Sequence, residues 1–285
     1  MGKLVDKLQQ ITQSSGSGIG FFGRSNTATA KPRPSGIVVS LGVKDSAAAG
    51  ASAKAGADAV LVTGWSAKSD LSAFSSAVSG GNTLLGVWLA EGESGSYGTL
   101  KQAQQAGASF AVVGANASVH MLFEELDRFD RVVTLNAPQD DMALLLLRVQ
   151  NLIPEQAALL RIGLNANAIA KMTIAEYARL RLVVESLRFP VLATLEGLPE
   201  MHSVPVLARL GFAGLVLPGA GVGADALGTQ VTSLREELER TPITHEEGEA
   251  ALLGGLVGTQ AAPSAPRREP EREPEREPER EPDHE

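Results

Sequence analysis

AGADAVLVTG at residues 55–64, AGASFAVVGA at 106–115 and LGFAGLVLPG at 210–219 repeat one pattern. In each, a glycine closes a helical stretch, a short apolar run follows, and a second glycine ends the run. Glycine is expected at a helix end because it alone enters the left-handed backbone region freely. The first glycines are Gly56, Gly107 and Gly211; the first gap is 51 residues and the second is 104, close to twice the first. A missing copy should then lie near residue 159, where AALLRIGLN occupies 157–165. A unit that recurs every second strand, four times over, describes eight strand–helix units closed into a (β/α)₈ barrel.

The rest of the chain from Gly36 to about residue 245 fits that reading. Strands are predicted at 37–41, 59–63, 84–89, 110–114, 132–135, 158–164, 191–195 and 214–217. Helices are predicted at 45–55, 69–78, 98–106, 118–128, 139–152, 173–187, 200–210 and 224–240. Strands alternating with helices make βαβ units and a parallel sheet. An open doubly wound sheet is the alternative. It would show short or polar edge strands, and none of the eight reads as an edge.

Two flanking segments complete the chain. Residues 1–35 hold a short amphipathic helix, with Leu4, Val5, Leu8 and Ile11 on one face, and then a Gly/Ser/Pro-rich linker. That helix either closes the bottom of the barrel or meets a partner; local burial of its stripe is the simpler outcome. Residues 246–285 run from an Ala/Gly-rich stretch into PRREPEREPEREPEREPDHE. Proline at every fourth position blocks a helix and nothing apolar is available to bury, so this segment is expected to be disordered. It reads as a solubilising repeat or as an interaction tail.

Composition bounds the chemistry. Of 285 residues 44% are hydrophobic and only 4% aromatic, which suits a Val/Leu/Ile/Ala core covered by helices on both faces. The absence of cysteine excludes disulfides, thiolate catalysis and Cys-ligated metals. The net charge is −8, and no basic stripe with interleaved aromatics marks a nucleic-acid surface. No apolar run approaches bilayer length, and the N-terminus lacks the apolar stretch of a signal peptide, so the expectation is a cytoplasmic protein without membrane association. A homo-oligomer is compatible with all of this.

In such a barrel the site lies at the C-terminal strand ends. The residues expected there are Lys44, Thr63, Trp65, Glu91, Glu93, Asn116, Asn136, Asn165, Asn167, Glu196 and the glycines of loop 8, Gly219, Gly221 and Gly223. Lys44, Glu91 and Glu196 are the catalytic candidates, and Glu91, Glu93 and Glu196 together have the chemistry of an acid/base group or a Mg²⁺ site. Asn136 and Asn165 offer donor and acceptor to an amide, a sugar or a heterocycle edge, although asparagine also caps helices and tolerates turns. In LPGAGVGADAL (217–227), Gly221 and Gly223 precede a helix N-terminus, an arrangement that holds a phosphate or simply makes a tight turn. Loop 7, EGLPE (196–200), is acidic, and neither loop 7 nor loop 8 carries a basic residue. No histidine pair has metal spacing, so no metal site is expected, and His120 and His202 fall at helix starts. Arg161 stands inside a predicted strand, where it needs a partner if it is internal.

AGADAVLVTG together with LARLGFAGLVLPGAGVG (207–223) resembles the aldolase-type TIM barrels over roughly residues 36–240. Within these it is most similar to flavin- or phosphate-binding members such as the nitronate monooxygenase and inosine-monophosphate dehydrogenase groups. That resemblance implies FMN or another phosphate-bearing ligand on loops 7 and 8, where Gly219, Gly221 and Gly223 match. Glu196-Gly197 replaces the paired glycines expected after strand 7, and the catalytic His or Cys of those enzymes has no counterpart.

Two functional readings follow. One is a barrel that binds a small phosphorylated or heterocyclic molecule at its mouth, with catalysis left open. The other is a non-catalytic scaffold, or a degenerate former enzyme, that acts through protein partners. A perturbed titratable group in a deep pocket favours the first; an exposed apolar stripe on the N-terminal helix favours the second.

Overall fold

A computed structural model describes residues 2–13, 36–89, 98–114, 117–135, 157–165, 169, 171–187 and 189–241. The chain divides into two units, Met1–Thr244 and His245–Glu285, and every described residue lies in the first. The predicted linker, the predicted helix over 139–152 and the predicted disordered tail lie outside the described residues.

Among the described residues there are eight strands: β1 Gly36–Gly42, β2 Ala59–Trp65, β3 Leu84–Leu89, β4 Phe110–Val113, β5 Asp130–Leu135, β6 Ala157–Asn165, β7 Val191–Glu196 and β8 Gly214–Pro218. Each pairs in parallel with its sequence neighbours. β1 also pairs with β8, from Gly36↔Gly214 to Ser40↔Pro218, which closes the barrel and rules out the open sheet. The described helices are α1 Lys3–Gln13, α2 Ser46–Lys54, α3 Ser72–Val78, α4 Thr99–Gln105, α5 His120–Phe123, α6 Ile174–Ser186, α7 Val204–Arg209 and α8 Ala224–Arg240. The repeat glycines behave as their pattern predicts: Gly56, Gly107 and Gly211 follow α2, α4 and α7 with φ of +93°, +100° and +86°.

Strand alternation sorts the core into two shells. Residues such as Val60, Val62, Val87, Ala193 and Leu215 belong to an outer shell shared with the helices. Their neighbours Val38, Ala59, Leu61, Phe110, Val112, Val132, Leu192 and Val216 form the lumen cluster. Glycine makes room there. A Cβ on Gly86 would sit 2.1 Å from the Phe110 ring, so Phe110 occupies the space that a β3 side chain would otherwise fill.

α1 closes the lumen from below. Leu4, Val5 and Leu8 are 1–2% exposed and join the lumen cluster. Leu8 reaches Gly214, where an added Cβ would stand 3.5 Å from its Cδ2. Burying three such side chains stabilises the closed form by roughly 5 kcal/mol, the low end of about 1.5–3 kcal/mol each because the undocked chain already buries part of this surface. The N-terminus of α1 is capped from the barrel. The Asp130 carboxylate, at the start of β5, accepts the backbone N–H groups of Leu4 at 2.7 Å and Val5 at 3.2 Å. Asp58, just ahead of β2, accepts from Ile37 N at 2.9 Å and pairs with Arg235 of α8 at 2.8 Å and Lys7 of α1 at 3.1 Å. One carboxylate thereby ties the first strand, the N-terminal helix and the last helix to the barrel floor.

Candidate functional site

The lumen changes character from floor to mouth. Up to Val38, Leu61, Val132, Leu192 and Val216 the inward positions described are buried and, apart from the α1-capping Asp130, apolar. The next inward position on each of those strands is Ser40, Thr63, Thr134, Thr194 and Pro218, and on β3 it is Trp88, which packs on top of the lumen cluster. Ser40, Thr63, Trp88, Thr194 and Pro218 are half-buried, whereas the outward-facing Val39, Leu41, Val62, Val87, Ala193 and Leu217 are fully buried. Solvent therefore reaches the barrel wall from inside, at a layer made of hydroxyls and one indole. The register sets Thr63 beside Trp88 and Ser40 beside Pro218. Adjacent strands are ~5 Å apart, so this layer is small enough for one ligand to span.

The hydroxyls are not equivalent. Thr63 Oγ1 donates to the Leu41 carbonyl at 2.9 Å and keeps only its lone pairs for another group. Thr194 Oγ1 is buried with no hydrogen-bond partner. Leaving such a group unsatisfied costs about 1–3 kcal/mol, so the position favours any molecule that supplies a donor or acceptor.

Loop 8 forms the rim next to β1. The Gly219 N–H is committed to the Ser40 carbonyl at 2.8 Å, which extends the β8–β1 ladder. A Cβ at Gly219 would lie 2.6 Å from Leu41 and 2.8 Å from Val39, so glycine is required there by packing. Gly221 and Gly223 differ: a Cβ on either would meet nothing within 4 Å, and Gly221 holds φ +76°. Gly223 stands at the N-cap of the 17-residue α8 without a side-chain cap. The open part of loop 8 is thus its second half, which lies at the positive end of a long helix.

The other expected site residues fall into three groups. Glu196 ends β7 with an exposed side chain, and the register pairs its Cα with that of Asn165 at the end of β6. Two of the expected site residues are thus at adjacent strand ends. Lys44 is exposed in the turn after β1, the strand that neighbours β8, which places a basic residue on the loop next to loop 8. Trp65 follows a register shift in β2 and is 1% exposed in the outer core, so it faces away from the lumen. Glu91, Glu93, Asn116, Asn136 and Asn167 lie outside the described residues. Arg161 is opposite Thr194 in the β6–β7 register. His120 opens α5, and His202 pairs with Glu200 at 3.2 Å on the exposed approach to α7.

Perturbed carboxylates mark structure more than chemistry here. Burial pushes Asp130 above the ordinary aspartate range, although amides of Val5, Leu4 and Gly2 pull it back down. That residue is on the floor, at the far end of the lumen from the mouth. Asp70 and Glu176 are held low by hydrogen bonds from Ser72 and Thr173, at the starts of α3 and α6. Among the described residues no three His, Asp or Glu side chains converge as a metal site would require. No described helix is long and apolar enough to cross a membrane.

The sequence analysis missed Ser40, Trp88, Thr134 and Thr194. All four lie inside strands, and the available signal was parity: each is two residues beyond an apolar lumen position.

Known structures share the fold. A thiamine phosphate pyrophosphorylase from Pyrococcus furiosus matches with a TM-score of 0.55 at 13% identity, over 72% of this chain and 96% of its own. A mutant tryptophan synthase alpha-subunit from the same organism matches at 0.52 and 14%, over 72% and 98%. A spore coat polysaccharide biosynthesis protein from Bacillus subtilis matches at 0.52 and 13%, over 82% and 74%. The chain therefore has the TIM-barrel fold, and the likeness is one of fold alone. No protein-family model matches the sequence, and no curated protein does.

Proposed function

We propose that the chain binds a small phosphorylated or heterocyclic molecule at the C-terminal mouth of its barrel. The observation that carries this reading is the step in the lumen from a sealed apolar floor to a half-exposed layer of hydroxyls and indole. A barrel that served only as a scaffold has no need of such a layer; its inward positions are better filled by the Val, Ile and Leu typical of barrel cores. The Thr194 hydroxyl, buried and without a hydrogen-bond partner, adds an unmet hydrogen-bonding demand on the same side. Loop 8 supports an anionic end for the ligand, because its second half offers open glycine backbone at the start of α8 and Lys44 stands on the adjacent loop. The name of one fold neighbour, thiamine phosphate pyrophosphorylase, agrees with a phosphate-bearing compound.

The scaffold reading asked for an exposed apolar stripe on α1. The described part of that stripe is instead buried in the barrel floor.

Native mass spectrometry of the purified chain tests for a retained ligand directly. Calorimetric titration with FMN and simpler phosphate esters tests the rim: binding is expected in the wild type and its loss in Gly221→Asp, which places a carboxylate in the open half of loop 8. Equal affinity in that variant moves the anionic end away from loop 8, and the absence of any mouth ligand in both experiments removes the proposal.

A further inference from the structure

We infer that the outward face of α6 is a self-complementary surface on which a second copy of this chain packs, antiparallel, about a two-fold axis at Ala178. This face lies on the outside of the barrel, apart from the mouth.

The inward face of α6 is accounted for. Leu180, Val184 and Leu187 are buried, and Tyr177 Oη donates to the Arg209 carbonyl of α7 at 3.1 Å. A Cβ on Gly211 would stand 3.6 Å from Val184, so α6 and the end of α7 are close-packed. The opposite face is apolar as well. Ile174, Ala178 and Leu182 recur at four-residue spacing, which puts them in one row along the helix. All three are exposed, Ile174 by 88% and Leu182 by 64%. Helix α8 shows what a solvent-facing side is made of: its exposed residues include Asp225, Thr229, Thr232, Glu236 and Glu239. The other exposed large apolar side chains among the described residues, Val43, Val119, Phe123 and Met201, lie in turns or in helices of a single turn. A helix that is apolar on opposite faces is one that is covered on both.

Charge identifies the cover. Counting from Ala178, an apolar residue stands four positions away on each side, and an exposed charged residue stands seven positions away on each side. The charged residues are Lys171, just ahead of the helix, and Glu185, in its last turn. Each is set against the helix dipole, which is positive at the N-terminus and negative at the C-terminus. An antiparallel second α6 turns both into attractions. It brings Glu185 and the negative end of one copy beside Lys171 and the positive end of the other, twice, and seats Ile174 of each copy against Leu182 of the other. Glu185 already holds Arg181 at 2.6 Å, yet its side chain is half exposed and its carboxylate has lone pairs for a second cation. The row is also held ready. Thr173 Oγ1 accepts from Glu176 N at 3.2 Å, and the Glu176 carboxylate accepts from Thr173 N at 2.8 Å, so a capping box fixes where the helix begins. From Ile174 to Leu182 the row spans ~12 Å, at about 1.5 Å per residue, which makes a small contact and a weak dimer.

Sedimentation velocity of the full chain tests this, with each variant first shown to be folded by its thermal melt. Wild type is expected to shift toward a species of twice the mass as its concentration rises from about 5 to about 500 µM. Leu182→Arg, which sets a cation in the row, should weaken self-association at least about tenfold with an unchanged melting temperature. Lys171→Glu and Glu185→Lys should each weaken it about fivefold, and the two together should restore it to within about twofold of wild type. The chain has no cysteine, so single cysteines give a second readout. A short bismaleimide should link two copies of Ala178→Cys and leave Thr232→Cys, on α8, unlinked. A wild type that stays monomeric over this range, a dimer that Leu182→Arg leaves intact, or equal cross-linking at the two positions overturns the inference. A monomeric wild type whose Leu182→Arg variant melts several degrees lower overturns it too, and assigns the face to a segment of the same chain.

Discussion

The floor and the mouth of this barrel are built from the same eight strands, yet they solve opposite problems. At the floor the Asp130 and Asp58 carboxylates both have partners. Asp130 caps α1, Asp58 gathers Ile37 N, Lys7 and Arg235, and three apolar side chains of α1 fill the space below Phe110 and Gly214. At the mouth the inward side chains are short hydroxyls and an indole with exposed surface, Thr194 Oγ1 is unpartnered, and loop 8 leaves two glycines in open space. Satisfied groups give rigidity; unsatisfied ones give a molecule something to bind. The contrast assigns stability to one end and, on the function proposed above, recognition to the other.

The contrast breaks first if the floor is dispensable. Deleting residues 2–13 removes the burial of Leu4, Val5 and Leu8 and uncaps the lumen. A loss of roughly 5 kcal/mol is expected, which in a domain of this size lowers the melting temperature by about 10–20 °C. A calorimetric scan measures it, and a shift below a few degrees would show that α1 only rests against the barrel.

Asp58→Ala comes next. It strands the Ile37 N–H and two cations at a partly buried site, and a cost of about 2–3 kcal/mol is expected in urea denaturation. Lys7→Ala removes a single, more exposed partner and should cost under ~1 kcal/mol. If the two variants cost the same, Asp58 is not the junction that its contacts describe.

Within loop 8 the two ends should separate. Gly219→Ala drives a methyl group into Leu41 and Val39 and should cost about 1–3 kcal/mol. Gly221→Ala meets no atom and carries only the strain of a left-handed residue, about 1 kcal/mol. The sharper outcome is functional: Gly221→Ala should perturb ligand affinity more than stability, and Gly219→Ala the reverse.

The smallest effect concerns Asp130. Its folded pKa is raised by burial, so the native state holds the proton more tightly than the unfolded chain does. Its contribution to stability is greatest below the ordinary aspartate value of 3.8 and is lost as pH rises through the raised folded value. Comparing wild type with Asp130→Asn by urea melts, the difference should shift in favour of wild type as pH falls from about 7 to about 4. A shift in the opposite sense would mean that the α1 amides outweigh desolvation.

Much of the architecture was legible because it rests on local chemistry. Apolar runs of strand length between helical stretches marked all eight strands. Gly56, Gly107 and Gly211 announced helix ends because few other residues tolerate φ near +90°, and their spacing gave the eightfold count. The site was less legible. Strand ends were identified by position, which placed Glu196 and Asn165 at adjacent strand ends and Gly221 and Gly223 in the rim loop, but also picked Trp65, whose side chain a register shift turns into the outer core. Ser40, Trp88 and Thr194 were passed over because, inside strands, a hydroxyl or an indole reads as one more core residue. Asp58 gave no sign of itself, since its partners Lys7 and Arg235 are 51 and 177 residues away.

What the sequence alone determined is therefore the order of the described elements and the glycines that end them, since each depends on backbone preference and periodicity within a few residues; it did not set every length, for the helix expected at 118–128 is only His120–Phe123. What only the tertiary structure decided is closure of β8 on β1, the docking of α1 into the floor, and which of two alternating faces looks into the lumen. These depend on contacts between distant segments. Closure gives an inward residue its meaning: the same threonine on an open sheet faces a helix, whereas in a closed barrel it faces a cavity shared by eight strands.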